Sequence, residues 1–300
     1  MSHNHDDSVR LGIALRVLSG VLIAGMYVSV KLIGDRVPLG EIVFFRSFFA
    51  IIPLVIFLWL RSEFPSGLRT RRPMAHLLRS SFGVVALFTS FAALARLGVA
   101  EAVLLAQLVP ILTTIAAVLL LSERLTRWRV LGLALGFSGV LMLVWPELDG
   151  STLENVRLIG IALGLVSAAF SALSLIMVRS LSSTESPGAI ALYFVLASML
   201  AALFTLPSGW VVPNYMTLWP LVCTGLFGGF AHIAMTLSFK YAEASRLAPF
   251  EYLAIVWPIL ADLFILQQPL GFSFLLAAPL VILGAVVASM EGVRRKRKKV

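Results

Sequence analysis

Residues 104–112 read LLAQLVPIL and residues 252–260 read YLAIVWPIL, so the chain repeats itself 148 positions on. Leu105/Leu253, Ala106/Ala254, Pro110/Pro258, Ile111/Ile259 and Leu112/Leu260 are identical within that window. The same offset pairs Gly12 with Gly160, Ala24 with Ala172, Phe82 with Phe230, and Ser90-Phe91 with Ser238-Phe239. Each half holds five apolar segments, and an odd number of crossings inserts the second copy upside down relative to the first. Inverted repeats of this kind let secondary transporters build two exchanging gates around one central site.

Composition places the chain in a membrane. Apolar residues make up 59% of the 300 residues and charged residues 13%, with a mean hydropathy of +0.97; a soluble domain carries about a quarter charged residues. The net charge of +9 belongs to membrane topology and not to a nucleic-acid-binding surface, which so apolar a chain does not offer. Cys223 is the only cysteine, which excludes an intrachain disulfide. Residues 1–10 are polar and read as a disordered tail. The first apolar stretch is long and contains Arg16 and Lys31, unlike a cleavable signal peptide.

About 20 helical residues span the ~30 Å hydrocarbon layer. On that measure the spans fall near 11–33, 42–60, 75–95, 100–121, 129–146, 158–179, 189–207, 217–239, 247–266 and 271–290. With a cytoplasmic N-terminus, the inner segments carry 18 cations, among them Arg61, Arg69, Arg71, Arg72 and Arg79 and the run Arg294 to Lys299. The outer segments carry four: Lys31, Arg36, Arg96 and Arg157. That asymmetry sets both termini inside. The architecture expected is therefore all-α and polytopic, with ten transmembrane helices. A first five-helix repeat covers 11–146, an extracytoplasmic linker 147–157, a second repeat 158–290, and a basic cytoplasmic tail 291–300 that suits anionic lipid.

Several segments carry a family resemblance. They are Val37-Pro38-Leu39 through Phe44-Phe45-Arg46, Val99-Ala100-Glu101-Ala102 leading to Pro110, Ser122-Glu123-Arg124-Leu125-Thr126, and the series Gly132, Gly136 and Gly139. The chain resembles the drug/metabolite transporter superfamily, in its EamA type, over essentially its whole length beyond the tails. The resemblance implies transport of amino acids, nucleosides, vitamins such as riboflavin, S-adenosylmethionine or toxic organic compounds, without choosing among them. The second copy departs at the turn: Gln267-Gln268-Pro269-Leu270 replaces Ser122-Glu123-Arg124-Leu125, and the offset falls to 145, so that Gly139 matches Gly284.

An ionisable group inside a bilayer is costly and is a functional hypothesis by default. Glu251, Ile255, Pro258 and Asp262 share one stripe of the ninth span, and the repeat counterparts of the two acids are Val103 and Thr114. These acids read as proton-coupling groups or as partners of a substrate amine; the competing accounts set Glu251 at the cytoplasmic mouth near Lys240 and Arg246, and Asp262 close to the outer face. Pro110 and Pro258 each remove a helical hydrogen bond and are the candidate hinges. Candidate cavity residues are Tyr27, Ser90, Phe91, Gln107, Ser171, His232, Thr236, Tyr252 and Trp257. Helix packing is the competing account for Ser171, an interhelical hydrogen bond for His232, and the interfacial belt for the aromatics. Arg46 reads as half of a structural ion pair with Glu41 or a neighbouring helix. Arg16 and Lys31 lie at opposite ends of the first span and snorkel to the two faces, so no core cluster of cations suited to a phosphorylated substrate is expected.

Gly136-Phe137-Ser138-Gly139 matches the G-x-S-G of intramembrane serine proteases, with His232 as a conceivable partner. The repeat argues for packing instead, since Gly139 recurs as Gly284 whereas Ser138 becomes Leu283. No P-loop, H-E-x-x-H, metal set or cofactor motif is present. The chain is expected to be an inner-membrane carrier of small metabolites, an exporter of amino acids (aromatic ones included) first and an importer of a vitamin or nucleoside-like compound second. Its partners are then the substrate, the bilayer and, where coupling operates, protons, but not nucleic acid. Oligomeric state is not legible.

Overall fold

The computed structural model describes residues 2–121, 127–145, 152–182, 184–242, 247, 250 and 254–297, and every regular element among them is helical. The helices are α1 (Ser2–Ile33), α2 (Leu39–Leu60), α3 (Pro73–Leu94), α4 (Val99–Ala106), α5 (Val109–Leu121) and α6 (Arg127–Val144). They continue as α7 (Thr152–Leu181), α8 (Pro187–Leu203), α9 (Tyr215–Tyr241), α10 (Val256–Leu260) and α11 (Phe272–Arg297). Among the described residues, five helical stretches are long and apolar enough to cross a membrane: Val9–Arg36, Leu39–Leu60, Pro73–Leu94, Asn155–Leu181 and Tyr215–Tyr241. Five shorter apolar stretches, such as Val130–Val144 and Pro187–Leu203, accompany them. Helix α1 starts at Ser2, and α11 runs to Arg297. Helical backbone thus continues through most of both tails, the first of which reads as disordered from sequence.

The proline spans are broken rather than bent. A proline cannot donate to the carbonyl four residues back, and its ring crowds that carbonyl. For Pro110 the orphaned carbonyl belongs to Ala106, where α4 ends, and α5 resumes at Val109. For Pro258 it belongs to Ala254, and the turn at 254–255 precedes α10. The repeat offset carries Ala106 onto Ala254, so a turn precedes the proline at the matching place in both copies. In the second copy alone a π-helical turn, Ala261–Ile265, follows.

The chain divides into two compact units, Met1–Val84 with Met177–Ala261 and Val85–Ile176 with Asp262–Val300. Each unit therefore draws helices from both sequence halves. In the first, α9 packs against α1 and α2, and α2 also packs against α8. Missing side chains on α9 let α2 come close: a Cβ at Gly225 would lie 2.4 Å from Phe49 Cβ, and one at Gly229 would lie 2.4 Å from Pro53 Cγ.

In the second unit α6 packs along α11. A Cβ at Gly139 would meet Val281 Cγ2 at 2.6 Å, and a Cβ at Gly284 would meet the Gly136 backbone nitrogen at 2.6 Å. At an offset of 145, Gly139 maps to Gly284 and Gly136 to Val281. The two clashes are thus one contact written twice, as a pseudo-two-fold axis between α6 and α11 requires. Gly132, Gly136 and Gly139 serve contacts within the chain.

Candidate functional site

The first unit buries two arginines beside one aromatic ring. Arg46 on α2 is 3% exposed and Arg79 on α3 is 8% exposed. Their guanidinium carbons lie 5.7 and 4.0 Å from the centroid of Phe194 on α8, within cation–π range. Arg46 Nη2 lies 3.5 Å from His232 Nε2 on α9. A guanidinium only donates, so Nε2 is the acceptor in that contact. Tyr27 on α1 lies within electrostatic reach of Arg46.

Two absent side chains make room for this cluster. Gly83, one turn after Arg79, would place a Cβ 2.8 Å from Phe194 Cε2 and 3.0 Å from Arg79 Nη1. Gly228, one turn before His232, would place one 3.3 Å from Arg46 Nε.

Arg46 lacks an anion. Its Nε and Nη1 are buried with no hydrogen-bond partner, and among the described residues it makes no ion pair. The pairing with Glu41 expected from sequence does not form, because the Glu41 carboxylate accepts the Val211 amide at 3.0 Å. Glu185 is likewise engaged, by Thr70 Oγ1 at 2.8 Å and by the Arg71 amide at 3.4 Å, and His76 lies 3.7 Å away. Glu63 pairs with Arg61 at 2.9 Å. The absence of a core cation cluster expected from sequence is also corrected. Arg79, nearly two turns into α3, counts by position with the inner-loop charges, yet the fold buries it beside Arg46. Gly83 on the same helix face was the available signal.

Acids dominate the second unit's polar site, and there they are satisfied. Helix α4 begins after Gly98, a residue with no side chain to cap it. Asp262 supplies the cap from 162 residues away: Val99 N donates to Oδ1 at 3.1 Å and Ala100 N to Oδ2 at 2.7 Å. Glycine eases this approach, since a Cβ on residue 98 would lie 3.1 Å from Asp262 Oδ2, a tight contact. The acid is itself held by its own turn. Gln267 takes the left-handed conformation at φ 51, and the Gln268 amide closes onto the Asp262 carbonyl at 2.8 Å, a Schellman-type end. Glu101, on the first turn of α4, accepts from Arg157 Nη2 at 2.6 Å. With Trp145, Gln268 and Phe272 these groups line a cavity of about 640 Å³.

The candidate residues from sequence separate between the units. Tyr27, His232, Thr236 and Trp257 belong to the first. There Thr236 Oγ1 donates to the His232 carbonyl at 2.8 Å, and the Trp257 indole nitrogen is buried without a partner. Ser90, Phe91, Gln107 and Ser171 belong to the second, where Phe91 is fully buried. Glu251 and Tyr252 lie outside the described residues. Ser138 donates to Ala134 in its own helix at 2.8 Å, and its flanking glycines pack helices, so nothing here forms a nucleophile. Among the described residues no group of three His, Cys, Asp or Glu could hold a metal ion.

Apolar helices of membrane length and a turn before the proline at repeat-related positions fit a multi-pass membrane protein. The model of the EamA-like transporter family matches twice, over residues 10–145 and 158–290, and the chain belongs to that family. It is similar to the pseudopaline exporter of Pseudomonas aeruginosa (strain UCBPP-PA14), with 31% identity over 84% of this chain and 86% of that one. The riboflavin transporter of Rhizobium johnstonii is 29% identical over 78% and 76%. The S-adenosylmethionine uptake transporter of Rickettsia prowazekii is 26% identical over 86% and 85%. A solved crystal structure shares the fold at a TM-score of 0.63 and 20% identity, covering 95% of this chain and 98% of that one. The protein is a small-molecule transporter of the bacterial inner membrane and not an enzyme.

Proposed function

We propose that the protein exports small metabolites, amino acids and aromatic amino acids first among them, by alternating access. In this reading ten spans form two inverted five-helix repeats, residues 11–146 and 158–290, with both termini cytoplasmic. One set of helices opens inward while its inverted counterpart closes outward. The observation that carries the reading is the α6–α11 contact, in which Gly139 meets Val281 as Gly284 meets Gly136. Recurrence of the turn before Pro110 and Pro258 supports it, with those two positions as the proposed hinges. Export is favoured by the relative named a pseudopaline exporter. Uptake of a vitamin or nucleoside-like compound is the second reading, supported by the riboflavin and S-adenosylmethionine relatives.

The test is counterflow in proteoliposomes with labelled phenylalanine, leucine, riboflavin and S-adenosylmethionine, with and without a pH gradient. Saturable exchange of the amino acids is the expected result. Exchange confined to riboflavin or S-adenosylmethionine selects the second reading, and exchange of none contradicts both. Acceleration by the gradient that is lost in Glu251→Gln or in Asp262→Asn assigns coupling to that carboxylate; the Asp262 carboxylate already accepts two backbone amides.

A further inference from the structure

Arg46 is 3% exposed, two of its guanidinium nitrogens have no hydrogen-bond partner, and no carboxylate described in its unit reaches it. A permanently protonated side chain cannot escape that cost by losing its proton. Buried charges are held by a counter-charge and by hydrogen bonds, and without both they are strongly unfavourable. Phe194 offsets part of the cost through its ring, and His232 Nε2 occupies only Nη2. Arg79 over the same ring adds positive charge without adding an acceptor.

Glu41, Glu63 and Glu185 are each engaged elsewhere, so none of these described acids supplies the missing acceptor. We propose that the substrate's carboxylate completes this site, docking on Arg46 beside His232 and Phe194, so that the carrier selects carboxylate-bearing metabolites. The inference rests on the transporter reading above and names the substrate class of that carrier. Guanidinium forks match carboxylate and phosphate alike. Carboxylate is assigned because one singly charged oxyanion meets the need of the two Arg46 nitrogens.

The test is direct binding to the purified full chain in nanodiscs, read as a thermal shift. The probes are phenylalanine, benzoate and glutamate, with phenylalaninamide, phenethylamine and phenyl phosphate as matched controls. The carboxylates are expected to bind saturably and the amide and amine at least about tenfold more weakly. Arg46→Gln loses the discrimination and Arg46→Lys keeps it at reduced affinity. Where Arg46→Gln does not fold, Arg46→Lys and His232→Gln carry the test, both weakening benzoate more than phenethylamine.

Equal binding of acid and amide, unchanged binding in the Arg46 variants, or no binding of any carboxylate overturns the proposal. Phenyl phosphate outcompeting every carboxylate also overturns it. Carboxylate binding without counterflow leaves the site standing and removes the transport reading. Counterflow of amines and amides at the rate of the acids does the reverse.

Discussion

Asp262 and Arg46 are both ionisable, both buried and both inside apolar helices, yet their surroundings are opposite. The Asp262 carboxylate accepts two backbone amides at the start of α4, and its carbonyl closes the turn that follows it. Arg46 has one long contact to His232, a ring beneath it and two nitrogens without acceptors. A satisfied buried charge is explained by the structure it holds together. An unsatisfied one points to something that arrives. Under the proposal above, partners, and not burial, separate the structural charge from the functional one.

Neutralising each residue breaks or sharpens the comparison. Replacing Arg46 with methionine removes a desolvated charge of similar volume, so thermal stability is expected to hold or rise. Transport falls by at least about 100-fold, the scale of losing a buried charge contact. Asp262→Ala should act the other way. Losing an N-cap costs about 2 kcal/mol, read as a lower unfolding temperature with transport per folded molecule retained.

The glycine contacts rank next. Gly284→Ala drives a Cβ against the Gly136 backbone and Gly225→Ala drives one against Phe49, each costing on the order of 1–3 kcal/mol. Both are measured by folded yield in detergent. Ser138→Ala should change stability by less than about 0.5 kcal/mol and leave transport untouched, since Ser138 is exposed and bonds only its own helix.

Much of the fold was legible because it follows from two simple patterns. Apolar runs of membrane length marked the helices, and the 148-residue offset matched Pro110 to Pro258. What the proline does was half legible: its missing N–H is visible in sequence, but whether the helix bends or stops depends on its neighbours. The shift to 145 matches Gly139 to Gly284 and Gly136 to Val281, but that these positions meet between α6 and α11 is visible only in the fold.

The candidate site was less legible. Asp262 looked like a proton site because sequence shows its charge and depth, but not the α4 amides brought to it from residues 99 and 100. Arg79 looked like a loop charge because a cluster of inner arginines precedes it. Arg46 reads from sequence as half of an ion pair with Glu41 or a neighbouring helix, and the fold turns Glu41 to Val211 instead. Long-range partners decided all three cases, and a single sequence does not list them.

The most direct test is the rate of labelled phenylalanine counterflow per folded molecule in Arg46→Met and Asp262→Asn carriers, side by side with the unaltered chain. The account predicts near-complete loss for Arg46→Met and a rate within about threefold of the unaltered chain for Asp262→Asn, whose amide oxygen still accepts one backbone bond. Full activity in Arg46→Met together with loss in Asp262→Asn would contradict it, placing function on the satisfied acid and structure on the lone arginine.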